Sequence, residues 1–167
     1  MLSNLLLSNL FMKFTFTYLL LCCLVFMSCT KNNEGCTQKS VAEEKSSMIS
    51  FCTTNNINYT EHASGILYEI INPGSGITPT INSKIFIYYQ GTLLNGTQFD
   101  AQADPTKTGW YLNSLIEGWQ KGLPLISKGG RIKLVIPSSL AYGCTGSGVI
   151  PANATLYFDI TLTEVLP

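Results

Sequence analysis

The sequence predicts an α+β domain in which an antiparallel sheet of five to six strands wraps around one short helix. After Gly65, apolar and polar residues alternate in several short segments, which is the period of a strand with one buried face. Between these segments, only residues 115–123 combine helix-forming residues with helix-ending ones, namely Gly122 and Pro124. At 167 residues the chain has room for one such domain and a short N-terminal appendage.

Turn residues separate the alternating segments from one another. Pro73 and Gly74 end the first segment, and Asn95-Gly96 after the second predicts a hairpin that continues through Phe99 and Asp100. We expect a type I′ turn at Asn95-Gly96, in which both residues have positive φ. The predicted strands are residues 66–70, 84–94, 131–136 and 155–162.

Two helices are predicted, one before the sheet and one inside the domain. The inner helix, residues 115–123, follows Ser114 and Glu117, which have the spacing of a capping box. The outer helix occupies residues 38–55 and is amphipathic. Its role is to pack against the domain or to space it from a membrane, and a dimerisation arm is the less favoured alternative. The residues on its inner side are Val41, Lys45, Met48, Ile49 and Cys52.

Residues 1–28 have the composition of an export signal. They contain no acidic residue and a single Lys13, followed by an apolar run. That run is about 14 residues long, against the roughly 20 that a transmembrane helix needs. Because Lys13 directly precedes the run, Met12 fits the start of a signal better than Met1.

Cys29 follows the apolar run and a small residue, Ser28, as in the lipid-attachment site of bacterial lipoproteins. We expect Cys29 to be lipidated and to be the first residue of the mature chain. Ordinary signal cleavage near Ser28 is the alternative. A polar segment then leads to the outer helix, so residues 29–63 are interpreted as a tether and residues 64–167 as the domain.

The remaining cysteines do not suggest a metal site. Cys36, Cys52 and Cys144 lack C-x-x-C spacing, and His62, the single histidine, lies in a linker without a nearby cysteine. A disulfide between Cys36 and Cys52 is one interpretation in an oxidising compartment. Cys144 is expected to be a small buried residue.

Charge and motifs exclude several classes of function. Ten basic and ten acidic residues give no net charge, so the chain lacks the positive field that binds nucleic acid. Neither a Ser-His-Asp set nor a phosphate-binding loop can be assembled. The domain is instead rich in aromatic residues, which are Tyr88, Tyr89, Phe99, Trp110, Tyr111, Trp119, Tyr142, Tyr157 and Phe158.

Four ordered blocks between Gly65 and Pro167 resemble the FKBP-type peptidyl-prolyl cis-trans isomerases. They include YYQGTLLNGTQFD at 88–100, LIEGW at 115–119, AYG at 141–143 and VIPANATLYFD at 149–159. The resemblance implies an FKBP-like half-barrel and an isomerase that acts on X-Pro bonds without a cofactor. A non-catalytic peptide-binding or chaperone module on the same fold is the alternative.

The resemblance also implies roles for individual residues. Trp119 would form the floor beneath the substrate proline. The Tyr142 hydroxyl and the Ile150 amide would bind peptide carbonyls, and Asp100 would line the edge near the twisted bond. Thr108 departs from the family, where an aromatic residue is common, and leaves one wall undefined. The apolar pocket residues implied are Tyr89, Phe99, Leu115, Ile116, Val149, Ile150 and Phe158.

The expected setting is a bacterial cell envelope. Lipidation at Cys29 would attach the protein to a membrane, most simply the outer membrane, facing either the periplasm or the exterior. The expected partners are proline-containing polypeptides, with macrolides as inhibitors implied by the resemblance. Monomer and dimer both remain open.

Overall fold

Residues 35–167 are described by a computed structural model, and the predicted signal and Cys29 lie outside them. Within that range, the chain forms two α-helices and seven strands, with four short 3₁₀ helices in the connections. The helices are α1 (Val41–Thr54) and α2 (Glu117–Gly122). The strands are β1 (Thr60–Glu61), β2 (Leu67–Asn72), β3 (Lys84–Leu93), β4 (Gln98–Gln102), β5 (Trp110–Tyr111), β6 (Arg131–Ile136) and β7 (Leu156–Leu166).

The strands form one antiparallel sheet in the order β1-β2-β6-β7-β3-β4, with β5 paired to β3. Its longest pairing joins β3 to β7, from Lys84 opposite Leu166 to Leu93 opposite Leu156. Five strands have five or more residues, and β1 and β5 add two residues each. The predicted α+β class and antiparallel sheet around a short helix are therefore confirmed.

The principal core lies between α2 and one face of the sheet. Alternate residues of the strands are fully buried there, as the two-residue period predicts. Trp119 and Leu123 approach this face from the helix side. The strand residues at its centre are Ile85, Ile87, Ile132, Leu134, Ile136, Leu156, Phe158, Ile160 and Leu162.

Helix α1 covers part of the opposite face. Met48 and Cys52 pack there against Leu67 and Val135, and all four are at most 1% exposed. The prediction of a sheet covered on one side is therefore wrong beneath this helix. It failed because Leu67 and Val135, which lie opposite each other on the face away from the principal core, are also apolar. The helix has the packing role expected for it.

The capping box lies at the start of α1 and not at the start of α2. The Ser40 amide donates to Glu43 Oε2 at 2.7 Å, and the Glu43 amide donates to Ser40 Oγ at 3.4 Å. The Ser40 hydroxyl and amide lower the pKa of Glu43 by bonding its carboxylate. In contrast, Ser114 donates to the Tyr111 carbonyl at 2.7 Å, and α2 begins only at Glu117. The Ser114–Glu117 capping box was a wrong prediction.

The hairpin between β3 and β4 differs from the predicted type I′ turn. Only Gly96 has positive φ, at 87°, and its amide donates to the Leu93 carbonyl at 2.9 Å. The Asn95 side chain accepts from the Thr97 amide at 3.0 Å, which stabilises the turn without a positive φ at Asn95.

Cys36 forms a disulfide with Cys144, across 108 positions of sequence. The suggested Cys36–Cys52 bridge and the expectation that Cys144 is a small buried residue are both wrong, since Cys144 is only partly buried and forms the bridge. Cys52 is a free thiol at 0% exposure, because it lies in the cluster under α1. The disulfide attaches the segment before α1 to the loop between β6 and β7.

Within residues 35–167, no helix is long and apolar enough to cross a membrane.

Candidate active site

An aromatic cavity of about 240 Å³ opens between α2 and the strands β3, β4 and β7. Eight of the ten side chains that the sequence places in the pocket line it. Those eight are Tyr89, Phe99, Asp100, Leu115, Ile116, Trp119, Tyr142 and Phe158, and Trp110 and Ser114 complete the wall.

Trp119 lies at the base of the cavity and is 4% exposed. Its indole contacts the rings of Tyr89 and Phe158 edge to face, with centroids 5.1 and 5.0 Å apart. Such tilted contacts suit the charge distribution of aromatic rings and fix their orientation. The base of the cavity is therefore an aromatic surface whose three rings pack against one another.

The depth at which Trp119 lies depends on two glycines of α2. A Cβ atom on Gly118 would lie 2.4 Å from Ile136, and one on Gly122 would lie 2.7 Å from Leu134. Because these glycines are four positions apart, they line one side of the helix. Their missing side chains let α2 approach β6 closely, and this approach places the indole against the sheet.

Trp110 and Ser114 are the two pocket residues that the sequence interpretation missed. The Trp110 ring lies 6.2 Å from that of Tyr89, on the wall left undefined by Thr108. Thr108 instead accepts a hydrogen bond from the Ile87 amide at 3.0 Å and donates to the Pro105 carbonyl at 2.6 Å. Threonine thus attaches the loop before β5 to β3. The apolar character of Trp110, two positions later, was the available signal.

Asp100 is held at the cavity edge by Tyr89. The Tyr89 hydroxyl donates to Asp100 Oδ2 at 2.6 Å. Burial, together with this bond to a carboxylate, raises the pKa of Tyr89. The phenol therefore remains a donor at neutral pH, and the carboxylate has a fixed partner.

Tyr142 lies at the rim, 37% exposed, in the loop that follows β6. Partial burial raises its pKa, and the negative charge of Asp100 raises it further. Its hydroxyl thus stays protonated at neutral pH and is able to donate to a carbonyl oxygen.

Val149 and Ile150 do not line the cavity. Val149 is 73% exposed, while Ile150 is 8% exposed and packs in the core. The Ile150 amide donates to the Ser147 carbonyl at 2.8 Å, so in this conformation it is already bonded. The carbonyl-binding role predicted for this amide would require that bond to open or to be shared.

Within residues 35–167, no cluster of three or more His, Cys, Asp or Glu side chains could hold a metal ion. The chemistry available at the cavity is that of an apolar aromatic surface with a carboxylate and two phenols at its edge.

Comparison with known proteins gives a consistent assignment. The family model described as FKBP-type peptidyl-prolyl cis-trans isomerase matches residues 76–163. The FKBP-type isomerase FkpA of Escherichia coli K12 is 41% identical over 108 residues, which cover 63% of this chain and 39% of that protein. The FkpA of Buchnera aphidicola from Acyrthosiphon pisum is 45% identical over 105 residues, covering 62% and 44%. The chain thus matches about two fifths of the length of these relatives.

Solved structures show the same fold. The crystal structure of FkpA from Escherichia coli superimposes with a TM-score of 0.67 at 34% identity, over 76% of this chain and 61% of that one. A peptidyl-prolyl cis-trans isomerase from Pseudomonas syringae gives 0.65 at 31% identity, over 78% and 99%. The family match covers more than half of the chain and includes all ten residues that line the cavity. This chain belongs to the FKBP-type peptidyl-prolyl cis-trans isomerase family.

Proposed function

We propose that the chain catalyses cis-trans isomerisation of X-Pro bonds in exported or envelope polypeptides. The observation that supports this most directly is the aromatic cavity, with Trp119 at its base and Asp100 and Tyr142 at its edge. A proline ring is compact and apolar, and such a cavity removes it from water while the flanking peptide stays at the rim.

The chemistry requires no reactive group. Rotation about a peptide bond faces a barrier of about 18–20 kcal/mol because the amide is conjugated. Twisting the bond reduces its charge separation, so the transition state is less polar than the ground state and gains in an apolar, water-poor cavity. Each ~1.4 kcal/mol of this differential stabilisation accelerates exchange tenfold.

Polar groups at the rim would orient the substrate. The Tyr142 hydroxyl would donate to a peptide carbonyl beside the proline. Asp100, held by Tyr89, would face the bond that twists. These roles agree with the positions of the side chains, although the Ile150 amide is bonded within its own loop.

The test is an isomerase assay on an X-Pro peptide with the purified chain. We expect faster cis-trans exchange than in buffer, and a loss of rate in Trp119→Leu and Tyr142→Phe. A folded wild-type protein that leaves the exchange rate unchanged would refute the proposal. Suppression of client aggregation that survives both substitutions would instead indicate the chaperone alternative.

A macrolide inhibitor would occupy the same cavity. We therefore expect competition between a macrolide and the X-Pro peptide, measured as an increase in apparent KM. Inhibition without any change in KM would place the macrolide elsewhere.

The proposal includes attachment to the cell envelope through Cys29, on the outer membrane. Two features support it, namely the signal-like composition of residues 1–28 and the Cys36–Cys144 disulfide, which suits an oxidising compartment. Labelled fatty acid should enter the wild-type protein but not Cys29→Ser. Equal labelling of the two proteins would exclude lipidation at this cysteine.

A further inference from the structure

Glu44 is the only acidic or basic side chain that is buried within residues 35–167. It lies on α1, is 4% exposed, and faces the sheet with Met48 and Cys52 at successive four-residue intervals. None of the ion pairs in this part of the chain includes it. Its carboxylate is stabilised by hydrogen bonds alone.

Those hydrogen bonds come from the two ends of one loop. The Ser138 amide donates to Glu44 Oε2 at 2.9 Å, and the Ser138 hydroxyl donates to Oε1. The Thr155 hydroxyl donates to Oε2. β6 ends at Ile136 and β7 begins at Leu156. Glu44 is therefore hydrogen-bonded to both ends of the segment that connects these strands. Tyr142 lies within that segment.

The stability of the folded protein alone does not explain a buried carboxylate at position 44. Removing a carboxylate from water costs several kcal/mol, which bonds to neutral donors offset only in part. An apolar side chain at position 44 would extend the cluster already formed by Met48 and Cys52 without that cost. The carboxylate instead fixes the distance between Ser138 and Thr155, because both residues donate to the same group.

Neighbouring contacts hold the middle of the same loop. Gln38 Oε1 accepts from the Cys144 amide at 3.0 Å, and Gln38 Nε2 donates to Ser138 Oγ at 3.1 Å. The disulfide joins Cys36 to Cys144, two positions after Tyr142. The N-terminal segment therefore contacts the loop at its ends and beside the tyrosine.

We propose that Glu44 is a positioning residue for Tyr142, and that residues 36–44 form part of the active-site framework although they precede the family match at 76–163. This inference rests on the proposed isomerase activity. Glu44 does not contact the cavity and acts by holding the loop from which Tyr142 reaches the rim.

The test compares Glu44→Ala and Glu44→Gln in the oxidised full chain. Small displacements of a binding group can cost up to a hundredfold in rate, so we expect Glu44→Ala to lower kcat/KM by about tenfold or more. Glutamine keeps an acceptor and the side-chain volume, and should lose about threefold. Amide hydrogen exchange in residues 139–153 should accelerate in the same order.

Two comparisons separate positioning from general destabilisation. Met48→Ala removes a buried side chain from the same helix and should lower stability while leaving kcat/KM unchanged. In a Tyr142→Phe background, Glu44→Ala should reduce kcat/KM by less than about twofold, since the group that it positions is already gone.

Folded Glu44 variants with wild-type kcat/KM and wild-type amide hydrogen exchange would overturn the inference. So would a loss of kcat/KM from Glu44→Ala that is as large in the Tyr142→Phe background as in the wild type. If Glu44→Ala does not fold, Glu44→Gln decides by the same two measurements. If the wild-type chain is inactive, the proposed function fails, and exchange in residues 139–153 still decides whether Glu44 orders the loop.

Discussion

The Tyr89 hydroxyl donates to Asp100 Oδ2 at 2.6 Å across the β3–β4 hairpin. The same tyrosine ring contacts Trp119 at the base of the cavity. One side chain therefore links the floor of the pocket to the carboxylate at its edge. A substitution that removes only the hydroxyl can separate these two roles.

Tyr89→Phe should keep the ring contacts and release the carboxylate. We expect kcat/KM to fall by about threefold to tenfold, because Asp100 loses its fixed orientation, while the free energy of unfolding changes by about 1 kcal/mol. The measurements are peptide isomerisation and denaturant unfolding. Tyr88→Phe is the matched control, since Tyr88 is 45% exposed and lies outside this cavity. Equal effects of the two substitutions would contradict the assigned link.

Gly118→Ala should destabilise the protein even though alanine favours helices. The gain in helix propensity is at most about 1 kcal/mol. The new Cβ would lie 2.4 Å from Ile136, and overpacking of this kind costs about 1–3 kcal/mol. The clash therefore outweighs the propensity. We expect a lower denaturation midpoint and, because α2 moves away from β6, a lower kcat/KM.

Lys121→Ala, in the same helix, is the control for Gly118→Ala and should change neither quantity appreciably. A Gly118→Ala protein that is more stable than wild type would show that α2 does not depend on close approach to β6.

The alternation of apolar and polar residues predicted the sheet well, because the face on which a strand residue lies depends only on its position within that strand. The segments at 84–94 and 131–136 correspond to β3 and β6 within one residue. The aromatic cavity was predicted through sequence blocks that resemble the family, and eight of its ten lining residues were named. These features depend on short stretches of chain.

The errors concern competition between local hydrogen bonds and contacts between distant stretches of chain. Ser40 and Glu43 have the same spacing as Ser114 and Glu117, but only the first pair forms a capping box. At Ser114 a competing bond to the Tyr111 carbonyl takes the hydroxyl. Spacing alone does not reveal that competition.

Contacts between residues about a hundred positions apart were equally impossible to predict from the sequence. The sequence interpretation paired Cys36 with Cys52, and the fold brings it to Cys144. Glu44 was overlooked because a carboxylate is expected in solvent. The available signal was its four-residue spacing to Met48 and Cys52.

The disulfide should be detectable and stabilising. A non-reducing peptide map should show Cys36 joined to Cys144, and Cys52 should resist alkylation until the protein unfolds. Burial raises the pKa of the Cys52 thiol to about 11, so little thiolate is present at neutral pH. Alkylation of Cys52 in the folded protein would contradict its position under α1.

Replacing both Cys36 and Cys144 by serine should lower the free energy of unfolding by about 2–4 kcal/mol, because the bond restricts a long loop of the unfolded chain. Denaturant unfolding measures this difference. Cys52→Ala is the control, since it removes a thiol without opening the bridge. A double variant as stable as wild type would show that the bridge adds nothing to stability.

Stability should also fall in alkaline solution through Tyr157. This side chain packs on Phe51 of α1, with ring centroids 5.2 Å apart. Burial, followed by the nearby charge of Asp159, raises the pKa of Tyr157 to about 12. A tyrosine in the unfolded chain ionises near pH ~10. The contribution of Tyr157 is thus fully present below about pH 10 and is lost as the pH rises toward 12.

Tyr157→Phe should therefore flatten the decline of stability between about pH 10 and 12 while leaving the ring against Phe51. Unfolding midpoints measured across this interval, with Tyr59→Phe as an exposed control, decide the matter. An unchanged slope in Tyr157→Phe would assign the alkaline loss to other groups, of which Tyr89 and Tyr142 have raised pKa values for the same reason of burial.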